Sequence, residues 1–447
     1  MSQQPDTIAA VATPPGRGGI GVIRVSGPSV KRIAEAVVGG LPRPRFAAHR
    51  TFLDADGKAL DSGIALYFQA PASFTGEDVL ELQGHGGPVV LDALLASVLS
   101  RGCRIAEPGE FTRRAFDNKR LDLTQAEAVA DLIDAESTAA ARAAQRSLTG
   151  AFSRRIDAFG HELLELRTWV EASIDFADED IDFLADGDVA ARLDQLIQHL
   201  AELRRQTQHG RVLSEGLRVA ILGAPNVGKS SLLNRLAGHD AAIVTDVAGT
   251  TRDVLRERIV LGDLPILLLD TAGIRETFDP VEQIGVRRAW SAVEDADLVL
   301  MLRIDGQPDP AQVDPIFAPL AGDARVLPVH NKCDQSGGTP GLREDASIGV
   351  SALTGAGVEA LIEQIRQRSG LQANLAGDFS ARRRHLDAID RAWAVLRRAA
   401  EQLHVHQAPE LLAEDLSEAN RTLGEINGPV DTETLLGEIF SSFCVGK

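Results

Sequence analysis

The sequence predicts a multidomain chain that combines α/β and all-α architecture: an N-terminal α/β domain, a discontinuous helical domain, and a second α/β module inserted between its two halves. Three observations predict this. At 447 residues the chain is too long for one hydrophobic core, so two or three domains are expected. The apolar pattern changes character along the chain, from short β-branched runs with glycine-rich turns to long helical stripes, then back to strands, then to stripes again. The two striped stretches are each an incomplete helical unit, and the stretch between them carries its own strand, turn and helix signals. The expected limits are residues 1–118, 119–214, 215–370 and 371–447.

In the first domain, Ile20-Gly21-Val22-Ile23-Arg24-Val25, Ile64-Ala65-Leu66-Tyr67-Phe68 and Val79-Leu80-Glu81-Leu82 read as strands. Pro28 to Val38 and Pro88 to Leu99 read as helices that open on proline. Strand alternation sets Arg24 opposite to Ile23 and Val25, and Glu81 opposite to Leu80 and Leu82. Glycine-rich turns follow at Pro14-Pro15-Gly16-Arg17-Gly18-Gly19, at Phe74-Thr75-Gly76-Glu77-Asp78 and at Gly84-His85-Gly86-Gly87. Such turns suit either close backbone approach to a ligand or ordinary chain reversal. His85 reads as a hydrogen-bonding structural residue rather than a catalyst.

The helical stretch shows three stripes: Leu123, Ala126, Ala130 and Ile133; Leu163, Leu166, Val170 and Ile174; and Leu193, Leu196, Ile197, Leu200 and Leu203. The pattern resumes at Leu386, Ile389, Trp393 and Leu396 and runs through Leu411 to Phe443. A module inserted in this way hangs on two linkers, through which its motions pass into the helices.

The inserted module explains its own purpose. Gly223-Ala224-Pro225-Asn226-Val227-Gly228-Lys229-Ser230 follows the apolar run Leu217–Leu222 and opens a helix-like segment that begins at Ser231. Strand, glycine turn and helix start are the context of a phosphate cradle. Its amides, together with the helix N-terminus, face the phosphates, Lys229 reaches the terminal ones, and the Ser230 hydroxyl is placed to ligate Mg2+. Gly249-Thr250-Thr251-Arg252-Asp253 offers a second hydroxyl, and Asp270-Thr271-Ala272-Gly273 ends the strand Ile266–Leu269 with a carboxylate for the metal and an amide for the γ-phosphate. In Asn331-Lys332-Cys333-Asp334, Asp334 is suited to accept from the N1–H and 2-amino group of guanine, and Ser351-Ala352-Leu353 supplies main-chain N–H groups. The five elements in this order predict a Ras-like α/β GTPase module. Ras-like switches place a water-orienting glutamine after the strand-end motif, and here that residue is Ile274. Hydrolysis then needs another source of help. Asn226 offers an oxygen for a monovalent cation. Glu282 reads equally as a water-positioning carboxylate or as a solvated helix face. Arg252 and Arg275 read as alternative charge donors or as surface arginines.

A net charge of −18 argues against a broad nonspecific grip on nucleic acid or anionic lipid. Arg382-Arg383-Arg384-His385 and Arg397-Arg398 are the local basic candidates, with a solvated helix face as the plainer reading. Three cysteines, Cys103, Cys333 and Cys444, form no disulfide or zinc pattern and suit a reducing cytoplasm, and no segment reads as a membrane span. The closing Cys444-Val445-Gly446-Lys447 fits a prenylation signal poorly.

From end to end the chain resembles the MnmE (TrmE) family of tRNA wobble-uridine modification GTPases, within the TrmE-Era-EngA-EngB-Septin-like superfamily. The marks are Ala12-Thr13-Pro14-Pro15-Gly16-Arg17-Gly18-Gly19, Thr75-Gly76-Glu77-Asp78, His85-Gly86-Gly87, Pro108-Gly109-Glu110-Phe111, the five GTPase elements and Phe443-Cys444-Val445-Gly446-Lys447. The resemblance implies an N-terminal folate-binding and dimerisation domain, a helical domain and a TrmE-type G domain. It implies a cytoplasmic homodimer that works with the FAD protein MnmG, as a heterotetramer, to build the 5-aminomethyl or 5-carboxymethylaminomethyl group on tRNA. The carbon donor would be 5-formyl- or 5,10-methylene-tetrahydrofolate. GTP hydrolysis would need Mg2+ and K+ and would accompany pairing of the G domains.

Carried onto this sequence, the resemblance implies K+ at Asn226, Thr245, Val247 and Thr250, and Mg2+ at Ser230 and Thr251, with Glu282 supporting water activation. The nucleotide contacts would fall on Asn226–Ser231, Thr245–Thr251 including Asp246, Val247, Ala248 and Gly249, Asp270–Gly273, Asn331, Lys332, Asp334 and Ser351–Leu353. Catalytic roles would fall on Glu282, Asn226, Lys229, Arg252 and Cys444. Cys444 reads equally as a buried cysteine with no chemical step. Folate contacts would fall on Arg24, Glu81, Arg120 and Lys447. Arg120 stands where the family usually has lysine, and Lys119 beside it is an alternative for that role. Two rival readings remain: an RNA-assembly switch, which lacks an evident RNA-binding appendage here, and a folate-dependent one-carbon enzyme regulated by GTP.

Overall fold

A computed structural model describes residues 6–175, 188–238, 256–269, 290–310, 317–369, 379–406, 409–428, 433–441, 443 and 446. The chain divides into two compact units, Met1–Ala130 with Glu425–Lys447, and Asp131–Gly424.

The first unit is built on a six-stranded sheet. Strand β1 (Ile8–Val11) pairs antiparallel with β2 (Gly18–Ser26); β3 (Ala48–Leu53), β4 (Ala59–Phe68) and β5 (Val79–Gly86) follow, and β6 (Arg104–Ile105) runs parallel to β1 at the edge, giving the order β3-β4-β5-β2-β1-β6. Helices α1 (Val30–Val38) and α2 (Pro88–Leu99) cover one face, where Ile33, Val37, Leu94 and Val98 meet Ile23, Val25, Leu80 and Leu82. Helix α2 opens on Pro88 as expected, but α1 starts two residues after Pro28, with Ser29 at its N-cap. On the opposite side, Ile8 and Ala10 pack with Ala106 and with Phe111 of α3 (Glu110–Asp117). The stripe of α4 (Leu123–Ile133) meets Ile439 and Phe440 of the C-terminal helix Glu433–Ser441, and Phe443, but only over its first turns. Leu123 and Ala126 are buried there and Ala130 partly so, whereas Ile133, expected on the same stripe, is 48% exposed because it lies past the apolar cover.

The second unit opens with α5 (Thr138–Leu148), α6 (Ala151–Asp175) and α7 (Val189–Glu215). Leu163, Leu166 and Val170 of α6 and Leu193, Leu196, Leu200 and Leu203 of α7 are buried as their spacing requires. Helix α7 then enters β7 (Leu217–Gly223) across Gly216 alone. That junction is closed: the nearly buried Arg211 donates to Asp297 Oδ1 at 2.7 Å, and Asp297 Oδ2 accepts the Arg218 N–H at 2.9 Å. The N-terminal connection of the inserted module is thus a braced helix end rather than a slack linker.

Beyond β7 come α8 (Lys229–Ala237), β8 (Arg256–Leu261), β9 (Leu264–Leu269), β10 (Leu298–Ile304), β11 (Val326–Asn331), α9 (Cys333–Ser336), β12 (Gly341–Leu342), β13 (Ile348–Gly349) and α10 (Val358–Arg368). The sheet order is β12-β13-β11-β10-β7-β9-β8, parallel from β13 to β9 with β8 and β12 antiparallel at the edges. The interior strands are continuous apolar runs, as burial on both faces demands. One face packs on Leu232, Leu236, Leu361 and Ile365, and the other on Val293, Phe317 and Leu320. The chain progresses to opposite sides of β7, so the crevice beyond its carboxyl end is the topological switch point of the sheet.

The second helical half, α11 (Arg383–His406) and α12 (Pro409–Asn427), returns to the first. Phe379 stacks on Phe152 with ring centroids 4.4 Å apart, and Ser147 and Ser380 exchange hydrogen bonds of 3.0 and 2.9 Å. Ile389 and Leu396 are buried, whereas Leu411 is 46% exposed and departs from the predicted stripe. The two basic clusters are largely consumed within this unit. Arg382 pairs with Asp131, Arg383 with Asp295, and Arg398 with Asp415 and Glu418, while Arg397 lies over Trp393.

Candidate functional site

The predicted phosphate cradle occupies the switch point. Gly223 (φ 147°) ends β7, Asn226 takes a left-handed φ of 63°, and Gly228 (φ 100°) caps α8. A side chain at Gly223 would strike the Leu302 carbonyl, and one at Gly228 would strike the Asn331 amide, so both glycines are required by close approach. Lys229 arches back so that its Nζ donates to the Gly223 carbonyl at 2.7 Å and the Ala224 carbonyl at 3.1 Å. That holds the ammonium above the loop. The first-turn amides of α8 have no intrahelical acceptor by geometry, and Ser230 and Ser231 are exposed at this end. Charge and amides therefore converge where a polyphosphate would lie.

The predicted base-reading motif is tied to the predicted cradle directly. Asn331 is buried; its Nδ2 donates to the Val227 carbonyl at 2.8 Å, while its Oδ1 accepts the Lys332 N–H at 2.8 Å and the Ala352 N–H at 3.1 Å. Lys332, itself left-handed at φ 63°, donates through Nζ to the Asn226 carbonyl at 2.9 Å. These bonds join cradle, base motif and the Ser351-Ala352-Leu353 loop into one unit. Asp334 stands exposed on α9. The Ser351 N–H donates to Ala356 and the Ala352 N–H to Asn331, and Arg235 holds the carbonyls of Ala352 and Leu353.

The structure brings together Asn226, Val227, Gly228, Lys229, Ser230, Ser231, Asn331, Lys332, Asp334, Ser351, Ala352 and Leu353. Thr245, Asp246, Val247, Ala248, Gly249, Thr250, Thr251, Arg252, Asp270, Thr271, Ala272, Gly273, Ile274, Arg275 and Glu282 lie outside the described residues, as do Cys444 and Lys447. Sequence reading missed the Asn331–Val227 bond, since a motif string gives the residue and not what it fastens.

A second constellation lies in the first unit, on the sheet face turned away from α1 and α2. Arg24 and Glu81 are directly paired in register across β2 and β5, and Arg24 Nε donates to Glu81 Oε1 at 3.0 Å. The guanidinium also sits 5.8 Å from the Phe74 ring centroid and 5.7 Å from that of Phe111. Its Nη1 reaches the Gly446 carbonyl at 3.5 Å. Gly446 (φ 97°) packs so closely on Val11 and Ala12 that no Cβ fits there. A Cβ on Gly76 would meet Arg120 Cγ at 3.2 Å, so the stem of Arg120 lies along the Phe74–Gly76 turn. Lys119 is left-handed at φ 55° and exposed.

The polar motifs around this face have structural work. Ser26 Oγ donates to Glu77 Oε2 at 2.6 Å and lies 2.7 Å from Thr75 Oγ1, and Arg114 bonds both Glu77 and Glu110. Burial opposes ionisation of Glu110, but Arg104 and Arg114 hold its carboxyl below its usual range. Burial likewise works against Asp78, which is nonetheless kept low by the Ala70 amide, Tyr67 and Lys31; burial, then the Asp78 carboxylate, pushes Tyr67 up to about 12. His85 bonds Asp61 through Nδ1 at 2.7 Å, the structural role read from its sequence context. Among the described residues no cluster of three or more His, Cys, Asp or Glu could hold a metal ion.

The chain is similar to known proteins over nearly its whole length. Residues 7–120 match the family described as GTP-binding protein TrmE N-terminus, and residues 123–444 the one described as MnmE helical domain. Over 450 residues, spanning 99% of this chain and 98% of the relative, it is 54% identical to a protein of Chromohalobacter salexigens named tRNA modification GTPase MnmE. Among solved structures it is similar to Aquifex aeolicus Era bound to GDP.AlF4- (27% identical, 40% of this chain, 65% of that one, TM-score 0.27). It is similar also to the G domain of the T. maritima FeoB iron transporter (25% identical, 34% and 98% covered, TM-score 0.26). With both family matches adjoining and a relative alike over nearly its whole length, the chain is a P-loop GTPase belonging to the MnmE (TrmE) family.

Proposed function

We propose that the chain couples GTP hydrolysis to modification of the tRNA wobble uridine at carbon 5, with a tetrahydrofolate derivative as carbon source and the FAD protein MnmG as partner. The observation that carries the proposal is that one chain holds both a cradle fastened to a guanine-type motif and a cationic and carboxylate face whose Arg24 reaches the Gly446 carbonyl. On that second face, Glu81 suits the ring N–H and amino groups of a pterin, while Arg24, Arg120 and Lys447 suit the glutamate tail. Arg120, rather than Lys119, takes the family's lysine position because its stem follows the Phe74–Gly76 turn.

At the cradle, Ser230 and Thr251 would hold Mg2+, which spreads the charge of the γ-phosphate. The Asn226 side chain, with the main chain at Thr245, Val247 and Thr250, would hold K+, which supplies positive charge where other GTPases use an arginine finger. Lys229 neutralises the terminal phosphates and Asp334 reads guanine. With the Ser351 and Ala352 amides already engaged, backing of the base falls to the Leu353 N–H. Glu282 would orient the attacking water in place of the glutamine that Ile274 replaces. The working form is a cytoplasmic homodimer whose G domains associate during turnover, in domains 1–118, 119–214, 215–370 and 371–447. Among the described residues no helix is long and apolar enough to cross a membrane.

The test is mass spectrometry of tRNA nucleosides from cells lacking the protein. Loss of the 5-aminomethyl and 5-carboxymethylaminomethyl uridines is expected; unchanged levels would reject the proposal.

A further inference from the structure

The base-reading segment is held by a half-buried cluster, with His330 at its buried end, that no nucleotide-binding motif includes. Asp305, just past β10, is its hub. Its Oδ1 accepts from Arg343 Nη1 at 2.7 Å and lies 3.1 Å from His330 Nδ1; its Oδ2 accepts from Ser336 Oγ at 2.6 Å; its own N–H donates to the Asn331 carbonyl at 2.8 Å. His330, at the end of β11, turns Nε2 to Arg303, whose Nε donates at 2.8 Å and whose Nη2 also contacts it. Guanidinium groups, which only donate, lie against both ring nitrogens, Arg303 at Nε2 and Arg343 Nη1 at 2.7 Å from Nδ1, and Asp305 is the carboxylate that Arg343 and the ring share. The Arg343 guanidinium, aided by Ser336 and His330, holds the Asp305 carboxyl well below its ordinary range, so the hub stays charged.

The cluster has no slack. A Cβ at Gly338 would strike Asp305, and one at Gly349 would strike Thr339 and the Arg343 guanidinium. Its tethers bracket the reader: His330 precedes Asn331, Asp305 bonds Asn331, and Ser336 ends the four-residue helix that bears Asp334.

We propose that Asp305, with His330, Arg343 and Ser336, is the positioning element of guanine selection. It touches no base; it fixes Asp334 relative to Asn331 so that both the N1–H and the 2-amino group are met. This rests on the reading of Asp334 as the base acceptor, and the experiment separates the two.

Full-length Asp305→Asn, Ser336→Ala and Asp334→Asn proteins are assayed for kcat and KM with GTP, with ITP, which lacks the 2-amino group, and with XTP, which presents a carbonyl there. Asp305→Asn should raise KM for GTP about tenfold, leave kcat within about twofold, and bring the GTP preference over ITP toward unity, as loss of a positioned hydrogen bond would. Ser336→Ala should move both quantities the same way by less. Asp334→Asn should shift preference to XTP, because an amide donates where a carboxylate accepts. If Asp334→Asn shifts preference while Asp305→Asn retains the GTP-over-ITP ratio, or loses kcat equally with both nucleotides, the positioning role is wrong and the base reading stands. If Asp334→Asn gains no use of XTP, the base reading fails. Should Asp305→Asn not fold, Ser336→Ala and Arg343→Lys decide the matter by the same ratio.

Discussion

Asn331→Asp is the sharpest test of how the nucleotide site is assembled, because it changes one atom in a fully described network. Asn331 is 1% exposed. The substitution keeps an Oδ1 for the Lys332 and Ala352 amides but replaces the Nδ2 donor, 2.8 Å from the Val227 carbonyl, with a second acceptor. Losing the bond removes about 1 kcal/mol, and facing a buried carbonyl with a carboxylate oxygen adds roughly 1–3 kcal/mol. At about 1.4 kcal/mol per tenfold, the sum of about 2–4 kcal/mol corresponds to GDP binding roughly 30- to 700-fold weaker. The assay is titration of a fluorescent GDP analogue, with a thermal melt of the nucleotide-free protein beside it. Because Asn331 and the Val227 it holds are both buried, the melting temperature should fall by several degrees as well, and the affinity is read at a temperature where the variant is still folded. Affinity within threefold of the parent would refute the idea that Asn331 holds the phosphate loop in its binding shape.

Potassium should accelerate GTP hydrolysis over sodium by on the order of tenfold or more, and Asn226→Ala should abolish the difference; equal rates in the two salts would remove the cation from the account. Glu81→Gln should weaken reduced-folate binding by about 10- to 100-fold, the scale of one charge-assisted hydrogen bond, with GTP hydrolysis unaltered; calorimetry showing parental folate affinity would count against the assigned face. Burial, opposed by Arg32, pushes the Cys103 thiol up to about 11, so the thiolate is scarce at neutral pH and appears only as pH rises toward that value. Its alkylation by iodoacetamide should therefore be slow at pH 8 and climb steeply above pH 10 in short pulses, and rapid labelling at pH 8 would show the site to be more open than its packing indicates.

Much of the fold and of the nucleotide site is legible in the residues themselves, for identifiable physical reasons. Period-two alternation sets Arg24 and Glu81 on the face away from Ile23, Val25, Leu80 and Leu82, because a strand packed on one side leaves no other choice. Phosphate-loop glycines are legible because the motif is a local geometric demand. What stays hidden is non-local. Nothing near Asn331 in the sequence names Val227 as its partner, and Asp305 lies far from Arg343 along the chain. Helical stripes predict burial along α6 and α7, yet fail at Ile133 and Leu411, since periodicity states which residues share a face and not how far the cover over that face extends. The basic runs at Arg382 and Arg397 read as one patch type, while acidic partners from distant segments consume most of them.

The claim on which the rest depends is that the phosphate cradle drives chemistry on tRNA, and complementation tests it most directly. Cells lacking the protein are supplied with the Lys229→Ala variant at parental abundance, and their wobble uridines are measured by mass spectrometry. Modification should remain absent, because the ammonium held over Gly223 and Ala224 is gone. Full restoration by Lys229→Ala would mean that nucleotide handling and tRNA modification are separate activities of this chain.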